Sequence, residues 1–123
     1  MSRRVFTDSN LRLEVQRDEG ETRVVWSGRS TAREPMVFIG PIITEALKQS
    51  AEEGSKLVLD FRALAYMNSS TITPLIRLLR QASKGQERVL VLYQSAARWQ
   101  EISFSALTVF ETKDGRIEIR GAP

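Results

Sequence analysis

The stretch Tyr66-Met67-Asn68-Ser69-Ser70-Thr71 stands between an apolar run and an amphipathic one. Three consecutive apolar residues, Leu57 to Leu59, precede it and are typical of a strand that is buried on both faces. A second apolar run, Val89 to Tyr93, comes after the amphipathic segment Ile72 to Lys84. Strand, helix and strand at this spacing predict a βαβ unit with parallel strands and a right-handed crossover.

The amphipathic segment carries the period of a helix. Its apolar positions share one helical face and are Ile72, Leu75, Ile76, Leu79 and Ala82. Pro74 suits the first turn, so regular hydrogen bonding is expected to begin near residues 70–74, and Gly85 ends the helix. Leu78 points away from this face, and we interpret it either as the edge of a wide apolar stripe or as a contact with a partner.

Four polar residues, Asn68 to Thr71, are therefore expected at the N-terminus of this helix, and all four types can cap one. Capping is one interpretation of the cluster. The other is a binding site, because ligands of open α/β sheets bind at the carboxyl ends of the strands. A helix N-terminus there offers free amides to an anion. A phosphate on Ser69 or Ser70 would add about −1.5 to −2 charge at this point.

The N-terminal third predicts an antiparallel hairpin. Polar residues alternate with apolar ones at Leu11, Leu13 and Val15, which indicates a half-buried strand. A turn at Asp18–Glu21 leads into a second strand at Thr22–Ser27, in which Trp26 continues the alternation and is expected in the core. Arg3 and Arg4 are expected to form a solvated tail.

Two further helices are predicted. The first starts at Met36 or at Pro41 and ends at Glu53, before Gly54. The second covers Ser95–Leu107 with poor periodicity, and its inward-facing residues are expected to include Ala97, Ile102 and Ala106.

The C-terminus reads as strand structure. Residues 108–111, a turn at Lys113-Asp114-Gly115 and the alternating segment Arg116–Arg120 indicate either a terminal hairpin or a last strand. Together these elements predict one α/β domain over residues 1–123, with helices packed against a mixed sheet that opens with a β-hairpin.

Composition excludes several functional classes. The chain has 123 residues, is 41% hydrophobic and 27% charged, and has neither cysteine nor histidine. We therefore expect no disulfide, no metal site, no cofactor and no enzymatic activity. The absence of a signal peptide and of a long apolar run favours a cytoplasmic protein without a membrane partner. A net charge of +3 is weak support for a nucleic-acid partner, so none is expected.

Asp60 follows the first apolar run and invites comparison with the phosphorylated aspartate of a receiver domain. A receiver would need an acidic pair after its first strand and an alternation of strands and helices from the start. This chain opens with a hairpin, so Asp60 is expected to cap a turn or linker.

The segment from Leu57 through the polar cluster to Leu79 resembles the signature of STAS domains, and more closely that of the bacterial anti-sigma-factor antagonists. In that family an Asp-Ser-Ser-Gly or Asp-Ser-Thr-Gly motif opens an apolar helix. The resemblance implies a protein without catalytic activity. A partner serine kinase, which is also the anti-sigma factor, phosphorylates it and binds only its unphosphorylated form. A phosphatase resets the switch.

The resemblance also assigns roles to residues of this chain. Ser70 takes the position of the phosphorylated residue, with Ser69 as the second candidate. Asn68 stands where the family has aspartate, and Thr71 stands where it has glycine. The partner-binding residues are expected to be Asn68, Thr71, Thr73, Arg77 and Leu78. The alternative is a STAS-like module that binds a protein or a small ligand and is never phosphorylated.

Overall fold

The computed structural model describes residues 2–123, which form six strands and three α-helices. The strands are β1 (Ser2–Asp8), β2 (Leu11–Asp18), β3 (Glu21–Ser30), β4 (Lys56–Met67), β5 (Arg88–Gln94) and β6 (Ile117–Ala122). The helices are α1 (Pro35–Glu52), α2 (Ile72–Lys84) and α3 (Arg98–Ser105). Two short 3₁₀ helices cover Ser69–Thr71 and Ala106–Phe110.

The strands lie side by side in their sequence order, from β1 to β6. The first three are antiparallel, whereas β3, β4, β5 and β6 pair in parallel. One helix joins each parallel pair, as parallel neighbours require a long connection. This topology confirms the predicted α/β class, the mixed sheet, the N-terminal hairpin and the parallel βαβ unit around α2.

The helices share one apolar core with one face of the sheet. In β4, Leu57, Leu59 and Phe61 belong to this core together with apolar residues from all three helices. The alternate residues Val58 and Asp60 point to the other face, as the period of a strand requires. The ring centroid of Phe61 lies 4.5 Å from that of Trp26 and 4.6 Å from that of Phe104, in the hairpin and α3 respectively. Trp26 is fully buried, as predicted.

Helix α2 has the bounds that its apolar period predicts. Leu75 and Leu79 are buried, and Thr73 and Arg77 are exposed. Leu78 is only 3% exposed and belongs to the core, so the wide-stripe interpretation is correct. The assignment of Leu78 as a partner contact is wrong, because its side chain is already enclosed within the domain.

The N-terminal residues are not a tail. Arg3 and Arg4 lie in β1, which pairs with β2 along its whole length in the register Phe6↔Leu13. The sequence of β1 lacks the alternation of β2, because β1 is an edge strand and six of its seven residues are exposed. This third antiparallel strand extends the predicted hairpin into a three-stranded meander.

Helix α1 begins at Pro35, one residue before the earlier of the two predicted starts, and Pro41 lies inside it. The later start is therefore wrong. Pro35 is suited to the first helical position because an amide there would have no intrahelical partner. No helix in residues 2–123 is both long and apolar enough to cross a membrane.

The third helix is shorter than predicted. Residues 95–97 form a turn, and α3 begins only at Arg98. This start places Gln100 and Phe104 inward, whereas Ile102 is 63% exposed and Ala106 is exposed, contrary to expectation. The segment expected to open a terminal hairpin is the 3₁₀ helix, so the hairpin is wrong and the alternative, a last strand, is correct.

Candidate functional site

The polar cluster follows the part of β4 that extends beyond the end of its pairing with β5. The pairing of β4 with β5 ends at Asp60↔Leu92, but its pairing with β3 continues to Ser30↔Met67. The chain then turns at Asn68 into the short 3₁₀ helix, which leads directly into α2. The cluster is thus held at the carboxyl end of the parallel strands, against the end of β3.

Asn68 is the N-cap of this turn, and all of its amide atoms are engaged. Its Oδ1 accepts hydrogen bonds from the backbone N–H of Thr71 at 3.2 Å and from the Thr71 hydroxyl at 2.8 Å. Its Nδ2 donates to the carbonyl oxygen of Ala32 at 2.9 Å, and its backbone N–H donates to that of Ser30 at 2.9 Å. The side chain therefore ties the start of α2 to the loop that follows β3.

Thr71 is buried in this arrangement. Its side chain has no exposure, and its Oγ1 lies 2.6 Å from the Oγ of Ser30, which is 1% exposed. The predicted role of Thr71 in contacting a partner is wrong, because its hydroxyl is enclosed between Ser30 and Asn68. The same enclosure keeps a kinase from reaching it.

Ser69 and Ser70 are the two hydroxyl residues that remain at the turn. Ser69 is exposed and Ser70 is half-buried. Within residues 2–123, neither hydroxyl has a hydrogen-bond partner, whereas those of Ser30 and Thr71 both do. The structure thus separates two available hydroxyls from two that hold the loop in place.

Three exposed arginines lie on the elements that meet at the two serines, which are the end of β3, the loop after it and α2. Arg29 pairs in register with Tyr66, and its guanidinium carbon lies 4.7 Å from the centre of the Tyr66 ring. Arg33 and Arg77 are also exposed. In the part of the chain that the structure describes, none of these three arginines has a carboxylate within 4.0 Å. The acidic residues at this end of β3 are Glu34, in the same loop, and Asp8, which lines a pocket together with Arg29 and Ser30.

Sequence reasoning missed the contribution of the loop after β3. Arg29, Ser30 and Ala32 are more than 35 residues from Asn68 in the sequence, and only the parallel pairing of β3 with β4 brings them together. A signal was present, because Arg29 to Thr31 are polar residues at the end of a predicted strand. The carboxyl ends of neighbouring parallel strands meet at one edge of a sheet.

Asp60 is not part of this site, and it is not a turn or linker cap. It lies inside β4 with 5% exposure. Its Oδ1 accepts from the backbone N–H and the Nε of Arg62, and its Oδ2 accepts from Arg62 at 2.8 Å and Arg23 at 3.0 Å. Burial alone would raise the pKa of Asp60, but the hydrogen bonds from Arg62 and the charges of both arginines outweigh it and lower the pKa.

The network around Asn68 predicts that the aspartate of the antagonist motif is unfavourable here. In Asn68→Asp the donor to the Ala32 carbonyl is lost, and a carboxylate oxygen faces that carbonyl instead. Loss of this hydrogen bond destabilises the fold by about 1–3 kcal/mol. The new negative charge interacts favourably with the helix dipole and offsets about 0.3–1 kcal/mol of this loss. We expect the free energy of unfolding in urea to fall by a net of about 1 kcal/mol.

Asn10→Asp is the matched control for Asn68→Asp. It makes the same chemical change at an exposed turn residue, so the free energy of unfolding should change by less than about 0.5 kcal/mol. An Asn68→Asp variant that is as stable as the parent would show that the bond to Ala32 does not hold the loop.

Across residues 2–123, no group of three or more His, Cys, Asp or Glu side chains could hold a metal ion. A scan against protein-family models and a search of the curated proteins give no match to this chain. The site is therefore described by its own residues: two available serine hydroxyls at a helix N-terminus, a fixed Asn68 and Thr71 beneath them, and arginines at the side.

Proposed function

We propose that this chain is a phosphorylation-switched regulator that binds a protein partner, with a STAS-like domain of the anti-sigma-factor-antagonist type, in bacterial partner-switching signalling. The observation that carries the proposal is the pair of unbonded hydroxyls of Ser69 and Ser70 at the start of α2. They adjoin a loop that is otherwise fixed by hydrogen bonds. Free hydroxyls are available for phosphorylation by a kinase. A rigid loop also presents a defined surface that a partner can recognise when the protein is unphosphorylated.

The local charges favour a phosphate at this position. The N-terminus of α2 has a partial positive charge, Arg29 and Arg33 lie at the end of β3 and in the loop after it, and Arg77 lies on α2 itself. A phosphate on Ser70 or Ser69 would therefore leave the fold intact. It would change the charge that a partner meets, and this change is the switch.

The surroundings also indicate the chemistry of the partner. Thr73 and Arg77 are exposed on the first two turns of α2, and half-buried Asn68 lies in the turn that leads into this helix. A surface with exposed arginines complements an acidic one, which a phosphate would repel. We propose a serine kinase of the anti-sigma type as the partner and a phosphatase that resets the switch. The chain itself acts in the cytoplasm, without catalytic activity, cofactor or nucleic acid.

Phosphorylation tests the proposal. The protein is incubated with ATP and serine kinases of the anti-sigma type, and the intact mass is measured. We expect a gain of one phosphate, which Ser70→Ala abolishes if Ser70 is the acceptor and Ser69→Ala abolishes if Ser69 is. Ser83→Ala is the control, because Ser83 is an exposed serine at the other end of α2.

Two outcomes oppose the proposal in different ways. If Ser69→Ala, Ser70→Ala and the variant with both substitutions all still gain a phosphate, the phosphate lies on another residue, which contradicts the proposed site. No phosphate with any kinase, together with tight binding to a protein, would favour the alternative of a STAS-like binding module that is never phosphorylated.

A further inference from the structure

A groove of about 250 Å³ lies between α1 and the helix-facing side of β1 and β2. Its floor is apolar and consists of Phe6, Val15, Ile42 and Ala46, and its lining includes the side chains of Arg4 and Arg17. The groove lies there because α1 packs mainly against β3 and β4, which leaves β1 and β2 less covered. An engineered apolar cavity of about 150 Å³ binds benzene, so this volume admits a ring or a short alkyl chain.

The groove has a cation that the protein does not neutralise. Within residues 2–123, no carboxylate lies within 4.0 Å of the Arg4 guanidinium, whose central carbon lies 5.1 Å from the centre of the Phe6 ring. Arg17, in contrast, is paired with Glu53. Glu45 also lines the groove, and its Oε1 accepts a hydrogen bond from Gln49 at 3.2 Å. Because Gln49 is neutral, Glu45 keeps its charge, and Arg4 is the lining cation without a carboxylate partner, beside the Phe6 ring.

We infer that this groove binds a small amphipathic monocarboxylate, with its apolar part on the floor and its carboxylate at Arg4. Each feature corresponds to one part of such a ligand. Each methylene group of the ligand that the apolar floor removes from water strengthens binding. The unpaired guanidinium matches a carboxylate in charge and geometry. Arg4 would repel an amine of the same length, whereas Glu45 would attract it, so the amine tests which of the two charges anchors a ligand.

The groove is separate from the serines at the start of α2. Arg17 pairs with Thr22 near the beginning of β3, whereas Asn68 contacts Ser30 at the end of β3. The two sites thus lie towards opposite ends of the same strand. The inference does not depend on phosphorylation and stands or falls on its own measurement.

Octanoate is the probe, and backbone amide shifts in nuclear magnetic resonance are the readout. We expect saturable shifts at the floor residues and affinity about fourfold higher per methylene, hence about 15-fold from hexanoate to octanoate. Arg4→Gln should weaken octanoate binding about fivefold, the upper range for an exposed ion pair, and leave octanol unaffected. Arg3→Gln is the control, since Arg3 points to the opposite face and pairs with Glu14.

Three results would overturn the inference. If octylamine binds as tightly as octanoate, the charge of the ligand does not determine binding. If Arg4→Gln binds octanoate with the affinity of the parent, Arg4 does not anchor the carboxylate. Shifts of the floor residues that depend on protein concentration and not on octanoate would show that a second copy of the chain occupies the groove.

Discussion

Asp60→Asn is expected to lower the free energy of unfolding by about 3 kcal/mol. Removal of one partner from a buried ion pair costs about 3–5 kcal/mol, and the lower end applies because the side chains of Arg23 and Arg62 are 26% and 41% exposed. Asparagine keeps the shape of the side chain but directs an N–H group at a guanidinium. Arg62 then loses the carboxylate that binds it, whereas Arg23 keeps Glu21.

The stabilisation that Asp60 provides should decrease at low pH. The folded pKa of Asp60 is lowered below its ordinary value of 3.8, so its stabilisation is fully present above about pH 4. The stabilisation is lost as pH falls through the folded pKa, because the unfolded chain then binds a proton more readily than the folded one. The stability difference between the parent and Asp60→Asn should therefore be constant from pH 7 to about pH 4 and shrink below it.

Asp114→Asn is a matched control for Asp60→Asn. Asp114 also accepts from the backbone N–H and the Nε of the arginine two residues later, but its side chain is 62% exposed. Urea melts should show a much smaller change at Asp114, since solvent screens exposed pairs. Equal changes at both positions would contradict the structural role that we assign to Asp60.

Ser70→Asp is expected to weaken binding of the kinase-type partner by at least about 2 kcal/mol, or roughly thirtyfold. The fold should tolerate the change, because a negative charge at the start of α2 interacts favourably with the helix dipole. In the complex, the same charge would be desolvated in a contact that forms around a neutral hydroxyl. Aspartate has less charge than phosphate, so phosphorylated protein should bind more weakly still.

Much of the fold could be predicted because long periodic segments carry their own signal. The period of 3.6 at Ile72–Lys84 gives the bounds of α2, and the apolar runs give β5 and the first part of β4, which continues beyond its run to Met67. Residues 98–110 are different, because a short helix followed by a 3₁₀ helix presents no sustained period. The position of Asp60 was also not predictable, since its partner Arg23 is 37 residues away and a charged residue normally marks the end of a strand.

The candidate site could be predicted in position but not in detail. The capping residue types and Pro74 place the cluster at a helix N-terminus. Which hydroxyl is buried depends on Ser30, which meets Thr71 only because β3 and β4 are parallel neighbours. Thr71 thus differs in role from Ser69 and Ser70, although the three are consecutive hydroxyl residues in the sequence.

The most direct test of the switch is the affinity of a kinase-type partner for the parent protein, Ser70→Ala, Ser70→Asp and Ser69→Asp, measured by calorimetry. Ser83→Asp serves as the charge control at the far end of α2. We predict that Ser70→Ala and Ser83→Asp bind like the parent and that Ser70→Asp binds at least about thirtyfold more weakly. Loss of binding in Ser69→Asp alone would move the switch to Ser69. Parent-like binding by both aspartate variants at the turn would contradict the proposed switch.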